Sequence, residues 1–351
     1  MIMKKILLFC VACMLLIPFW GCKSVRPSEG GITQKVDHCG LFPARSGERW
    51  GYIDKTGSFV IDPQFDEAYD FSEGLAAVRI GDDETGKWGY IDKTGSIVIN
   101  PQFDGAQPFK EGLAAVEIGD KRGYIDKTGS IVINPQFDEA GSFSEGLARV
   151  KIDDKRGYID KTGNFVINPQ SGLAGSFSEG LAQVMNGSKQ FYIDKAGSIV
   201  ISNPQFDWVD RFSEGLAHVA IVGEYGDWEF GYIDKAGSFV IRPQFGGARS
   251  FSEGLAAVNI DGKWGYIDKT GSFVIKPQFD AAESFSEGLA VVTIGDKCGF
   301  IDKTGKIVID PQFDASEWPF NYTFSGGLAR VSVDGKDAYI DKTGKIVYKE
   351  R

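Results

Sequence analysis

Histidine is nearly missing from this 351-residue chain, which has only His38 and His218. That removes most of the usual material for acid–base and metal chemistry. His38 and Cys39 adjoin each other, but two ligands do not make a zinc site. Basic clusters are also lacking: 38 Lys and Arg stand against 48 Asp and Glu, for a net charge of -10. Nucleic-acid binders need Lys/Arg stripes that displace counterions from phosphates, so no nucleic-acid partner is expected. No stretch carries an EF-hand loop, a P-loop or Gly-x-Ser-x-Gly. Gly and Pro fall every few residues, which leaves no uninterrupted amphipathic run for a helical array.

One long apolar run exists, from Ile6 to Ile17, preceded by Lys4 and Lys5 and broken by Pro18. It is too short to cross a hydrocarbon core of about 30 Å, but it suits the apolar region of a secretory signal. The run ends at Phe19-Trp20-Gly21-Cys22, which resembles a bacterial lipobox. That resemblance implies cleavage after Gly21, lipid attachment at Cys22 and, with Lys23 following, an outer-membrane or cell-surface address. The alternative is a plain signal peptide cleaved elsewhere, leaving Cys22 an idle thiol. Residues 1–21 are thus expected to be the signal peptide and residues 22–38 a lipidated tether. Cys39 and Cys298 would then be the thiols left to pair, and both are expected to stay unpaired.

The rest of the chain, residues 39–351, is organised by Gly51-Tyr52-Ile53-Asp54-Lys55-Thr56-Gly57. Its tyrosine position returns at Tyr90, Tyr124, Tyr158, Tyr192, Tyr232, Tyr266, Phe300 and Tyr339. Five of the eight spacings are 34 residues. A fixed period of this size marks a repeat array, in which each unit buries an apolar face against its neighbours.

Within one unit, Leu113-Ala-Ala-Val-Glu-Ile118 alternates constant and variable positions, which predicts a strand with one buried face. The variable position is Ala115, Arg149, Gln183, His218, Val291 or Arg330, so His218 is expected to be exposed. Gly123-Tyr-Ile-Asp126 and Ser130-Ile-Val-Ile133 predict a hairpin closed by Asp-Lys-Thr-Gly, with Gly129 left-handed. The third strand lacks polar alternation, which predicts cover on both faces. Asn134-Pro135 ends it, and Phe137-Asp-Glu-Ala140 predicts a short fourth strand. Each repeated Asp (Asp54, Asp92, Asp126) is expected to cap its own turn.

The Lys87-Trp88-Gly89-Tyr90 and Lys263-Trp264-Gly265-Tyr266 segments resemble the WG (KWG) repeat family of bacteria. The Pro-Gln-Phe-Asp and Phe-Ser-Glu-Gly-Leu-Ala segments share that likeness. The resemblance covers nearly all of residues 40–351 in nine copies. It implies a β-repeat scaffold and carries over no catalytic residues. The naming Trp stands only at Trp50, Trp88 and Trp264; Arg122, Arg156, Gln190, Phe230, Cys298 and Asp337 replace it.

The expected fold is therefore all-β: nine units of about 34 residues, each a three- or four-stranded antiparallel meander, set in a propeller-like toroid. The alternative is an open β-superhelix. The nine units count Gly40-Leu41 to Trp50 as a worn first copy. The last unit stops after its third strand, and Ile32–Val36 is a candidate for the missing strand that closes a ring.

Where the copies disagree is where recognition is expected. Two lengthened connections carry aromatic residues: Val222–Phe230, with Tyr225 and Trp228 and with Trp208 near it in sequence, and Glu317–Tyr322, with Trp318, Phe320 and Tyr322. Exposed aromatics on a rigid scaffold are common binding material. The competing reading packs each ring into its own unit. The expected function is a non-catalytic, membrane-anchored envelope scaffold binding an envelope or extracellular protein or glycan, with no cofactor and no metal. The alternatives are a propeller-type glycan-active enzyme and a purely structural spacer.

Overall fold

The computed structural model describes residues 40–351, apart from residues 83, 171, 187–188, 203–205, 224–225 and 316–321. The signal segment, Cys22, Cys39 and Ile32–Val36 lie outside the described residues, as do Tyr225, Trp318 and Phe320. Among the described residues every regular element is a strand, and no helix is long and apolar enough to cross a membrane.

The strands form nine separate antiparallel sheets, two of three strands and seven of four. Blade 1 comprises β1 (Phe42–Ser46), β2 (Arg49–Ile53) and β3 (Phe59–Phe65). Blade 2 is complete, with β4 (Glu67–Ala68), β5 (Ala76–Ile80), β6 (Lys87–Ile91) and β7 (Ile97–Phe103), hydrogen-bonded in that order. Blades 3 to 9 follow at residues 105–137, 139–170, 173–202, 208–245, 247–279, 281–314 and 328–349.

The short strand expected at the end of each unit pairs instead with the next unit's first strand, as Glu139–Ala140 pairs with Val150–Lys151. It heads the following sheet, so each sequence repeat is shared between two blades. Pulling one unit out would break pairing in its neighbour, which couples the array.

The sheets close into a ring. Tyr339 in blade 9 donates its hydroxyl to the Pro43 carbonyl of blade 1, 2.8 Å away and 296 residues apart in sequence. Tyr348 likewise donates to the Arg45 carbonyl, and Phe42 packs on Tyr339 with ring centroids 5.8 Å apart. The structure is the toroid, not the open superhelix. The core is correspondingly a circle of wedges: Tyr124, Ile133 and Phe137 of blade 3 bury against Ala148, Val150 and Ile159 of blade 4.

Two expectations about burial are corrected. The strand expected to hide one face hides both in blade 3: Ala114 and Val116 pack toward blade 2, and Ala115 packs toward blade 4. The long third strand of the sequence unit, expected to be covered twice, is the outer edge. Ile99 is 3% exposed, whereas Val98 beside it is 45% exposed. Unbroken β-branched character there reflects strand propensity on an unpaired rim rather than double burial.

The Gly of the Trp-Gly pair is dictated by packing. A Cβ on Gly123 would lie 2.4 Å from the Ile133 carbonyl oxygen and 2.6 Å from the Pro135 nitrogen. The outer strand bulges inward there, and the pairing register shifts across the glycine. Blades 5 and 9 carry Phe191 and Ala338 instead. Both pair in ordinary register, with Ser202 and Lys349, and the outer strand of blade 9, Ile346–Lys349, contains no Pro. In blade 9 the glycine and the Pro-bearing bulge are missing together.

The turn expected from Asp-Lys-Thr-Gly is present. Asp126 Oδ1 accepts from the Thr128 amide at 2.8 Å, the Thr128 hydroxyl at 2.6 Å and the Ser130 amide at 3.1 Å, and Gly129 is left-handed at φ 86°. The Thr128 hydroxyl foremost holds the Asp126 carboxyl below its usual value. These repeated acids are turn caps.

Candidate functional site

The repeated side chains are consumed by holding blades together. Tyr124 donates to the Gly141 carbonyl of the next blade at 2.7 Å, and Tyr52, Tyr90, Tyr158, Tyr232 and Tyr266 do the same at equivalent places. Asp138 links Lys121 of blade 3, at 2.6 Å, to the Asp153 amide of blade 4, at 3.0 Å. On the opposite face of the ring, Glu145 of blade 4 accepts the Gly180 amide of blade 5 at 2.9 Å and pairs with Lys195 at 3.1 Å. Seven such Glu residues sit in the left-handed region, with φ between 52° and 54°. A non-Gly residue there costs about 1–3 kcal/mol, so the latch has to repay local strain.

What varies is the inner edge, opposite the exposed outer strands. The residue directly after each two-residue short strand receives the previous blade's tyrosine on its carbonyl, which frees its side chain to differ. It is Gln107, Gly141 and Gly175 in blades 3 to 5, and Asp210, Arg249 and Glu283 in blades 6 to 8. The next position is Pro108, Ser142 and Ser176, then Arg211, Ser250 and Ser284. At these two positions blades 3 to 5 are neutral, blades 6 to 8 carry four charges, and blade 2 carries Asp70.

These charged residues are joined across blades. Ser250 of blade 7 donates to Asp210 Oδ2 of blade 6 at 2.8 Å, and Ser284 of blade 8 donates to the Ser250 carbonyl at 3.4 Å. Arg249 pairs with Glu283 at 2.7 Å while lying over the Trp264 ring at 5.4 Å. His218 Nδ1 stands 3.4 Å from Asp210 Oδ2.

His218 corrects the expectation of exposure: it is 6% exposed and packed against Trp208, with ring centroids 4.9 Å apart. Burial pushes its imidazole down to about 4; Asp210 opposes the shift, and Arg249 and Arg211 add to it. His218 is therefore neutral across ordinary pH. Burial raises the Glu283 carboxyl, outweighing the pull of Arg249, and lowers the Arg211 guanidinium.

The expected aromatics divide. Trp208 is half-buried on the short strand of blade 6, between His218 and the edge of Phe230 at 6.1 Å. Trp228 is 44% exposed on the same sheet, where it pairs with Val222 one pleat beyond the Trp208–Ala220–Phe230 row. Two-residue alternation puts both indoles on one face. Tyr322, expected among the exposed rings, is instead core. It is 6% exposed, donates to the Asp314 carbonyl and accepts the Ser332 amide, both at 2.9 Å. It packs beside Cys298, where other blades have Trp, and so fills a place a larger ring would take. Cys298 is buried and unpaired, with its thiol pushed up by burial.

Blade 3 shows what missing bulk does. Where blade 2 stacks Tyr69 on Trp88 at 5.0 Å, blade 3 has Gln107 and Arg122, and a cavity of about 30 Å³ opens beside Gly105, Ala115 and Glu117. That is room for about one water. Among the described residues no three His, Cys, Asp or Glu side chains converge as a metal cage.

Reasoning from sequence missed Asp210, Arg211, Arg249 and Glu283. The signal was present, because the residues before each Phe-Ser-Glu-Gly differ from copy to copy. Comparing strands and insertions alone overlooked them.

The closed ring of sheets, each shared in sequence with the next, defines a nine-bladed β-propeller. The chain belongs to the family built from the WG containing repeat, whose model matches residues 50–82, 88–121, 123–155, 157–189, 191–223, 230–264, 264–298 and 299–336. Each match runs from the third strand of one blade to the second strand of the next, which is why eight matches build nine blades. No curated protein matches the chain by sequence. Distant fold likeness links it to solved structures. BamB from Moraxella catarrhalis has a TM-score of 0.41 and 11% identity, over 89% of this chain and 94% of that one. Apo AztD from Citrobacter koseri has a TM-score of 0.41 and 14% identity, over 88% and 93%. Hsv2p from Kluyveromyces lactis has a TM-score of 0.39 and 9% identity, over 66% and 89%. Likeness this remote carries no inference about ligands.

Proposed function

We propose that this protein is an exported, lipid-anchored propeller that binds a protein or glycan of the cell envelope or its surroundings, and that it is not an enzyme. One observation carries the reading. The repeated polar side chains are spent on inter-blade bonds, whereas the residues left to differ gather at the inner edge of blades 6 to 8 and on the aromatic face of blade 6. A frame with charged private residues concentrated in one sector is what a binding scaffold needs.

Asp210 is held by Ser250, and Glu283 by Arg249. They occupy equivalent positions two blades apart, and each is already tied to a neighbouring blade. Export and anchoring at Cys22 rest on the Lys4-Lys5 pair, the apolar run and Gly21-Cys22.

The test is capture of an envelope component by the tagged chain, produced from residue 22 with Cys22→Ser. Trp228→Ala is expected to lower retention several-fold without lowering the melting temperature, because the ring is exposed. Undiminished retention would remove the aromatic face from the reading. Metabolic labelling with a fatty-acid probe is expected to mark the full chain and to fail with Cys22→Ser; equal labelling would end the anchor.

A further inference from the structure

Arg79 pairs with Glu67, Arg122 with Glu117, Arg156 with Glu139, Arg249 with Glu283 and Arg330 with Asp337. Arg211 is half-buried at the inner edge of blade 6 and, among the described residues, makes neither a hydrogen bond nor an ion pair. Among those residues Arg45 and Arg242 make no ion pair either, but both are exposed, whereas Arg211 is withdrawn from water. Asp210 beside it acts only through space, since its Oδ2 already receives Ser250 and faces His218. A guanidinium partly withdrawn from water with its planar fork unmatched is a receptor for an oxyanion, most of all one that accepts two parallel bonds.

The surroundings narrow the class of ligand. At the position Arg211 occupies, blades 4, 5, 7 and 8 carry Ser142, Ser176, Ser250 and Ser284. This gives an inner rim of hydroxyls with Asp210 and Glu283 among them. Trp264 is covered by Arg249, and Trp208 is half-buried and packed at a tilt against His218, which in turn feels the Arg211 charge. An apolar anchor slot, which a peptide side chain would need as its hot spot, is not formed by these hydroxyl and carboxylate groups. Hydroxyls and carboxylates that exchange hydrogen bonds, one indole face and one unmatched guanidinium suit a sugar that bears a carboxylate.

We propose that the inner edge of blades 6 to 8 binds an acidic saccharide of the uronic-acid type, with its carboxylate held by Arg211. This deepens the binding-scaffold reading above and rests on it.

The experiment is titration calorimetry on the chain from residue 22, with a galacturonic acid oligomer, a neutral glucose oligomer of equal length and a glutamate-rich peptide. The acidic oligomer alone is expected to bind, and its affinity should fall as salt is raised. Arg211→Gln should weaken it by about tenfold or more, the size of one lost charge-assisted contact. Equal binding of the neutral oligomer, preference for the peptide, or an unchanged affinity in Arg211→Gln overturns the assignment. Should Arg211→Gln fail to fold, Arg211→Lys keeps the charge and loses the fork; several-fold weakening is expected, and none overturns it. An envelope component still captured with no uronate binding sinks this assignment alone. Loss of both sinks the scaffold reading as well.

Discussion

The junction between blades 3 and 4 and the junction that closes the ring between blades 9 and 1 solve the same problem with different parts. At the first, Tyr124 reaches the Gly141 carbonyl, and Glu111 accepts the Gly146 amide at 3.0 Å and pairs with Lys161 at 3.2 Å. At the second, Tyr339 and Tyr348 reach Pro43 and Arg45, and Arg330 lies over Trp50 at 5.7 Å. Gly326 stands where the seven junctions from blades 2–3 to blades 8–9 have a left-handed Glu. Among the described residues, the cluster at the first junction has ten buried apolar members and the closing one five. The closing junction therefore leans on aromatic reach where the regular one leans on a strained carboxylate latch and a thicker wedge.

The sharpest way to test the contrast is the glycine that the Pro-bearing bulge requires. Gly123→Ala is expected to cost about 2–3 kcal/mol, because backbone atoms of Ile133 and Pro135 would have to move. Ala338→Gly in blade 9, which has no such bulge, should cost under about 1 kcal/mol. Equal losses in urea unfolding would break the link between glycine and bulge.

A second contrast uses His218, which stands where blade 3 has Ala115. The folded imidazole is depressed to about 4 from an ordinary 6.5, so the unfolded chain takes the proton first. Stability is then fully present above pH 6.5 and is lost as the pH falls toward about 4. His218→Gln is expected to flatten the decline in urea midpoint across that window. A slope that survives the substitution would assign the acid sensitivity elsewhere.

The smallest effect probes the latch itself. Gly326→Ala is expected to cost about 1 kcal/mol because of its left-handed backbone. Gly326→Glu, at the same φ and next to Gly327, whose Cβ position lies 3.6 Å from Lys55 Nζ, should cost less, since a carboxylate there regains part of the latch. Equal melting temperatures for the two variants would show that the latch repays nothing.

Most of the frame was legible from spacing. The hairpin, the left-handed Gly129, the Asp126 cap and the short extra strand each follow from local rules acting on four to eight residues. The candidate site was legible only in part. Trp228 is exposed as expected. Tyr322 turned inward because blade 8 has Cys298 where a larger ring would fill the wedge, and His218 went under because its strand is covered on both sides.

Chain order alone set the period, the strands, the turns and the positions where copies differ, because these depend on near neighbours along the backbone. Which strand becomes the rim, which unit completes which sheet and whether the ring shuts depend on contacts between distant residues, as between Tyr339 and Pro43. The gathering of Asp210, Arg211, His218, Arg249 and Glu283 into one sector was likewise decided in three dimensions. It takes three blades turned toward a common axis to set residues 40 or more positions apart against each other, as Ser250 meets Asp210.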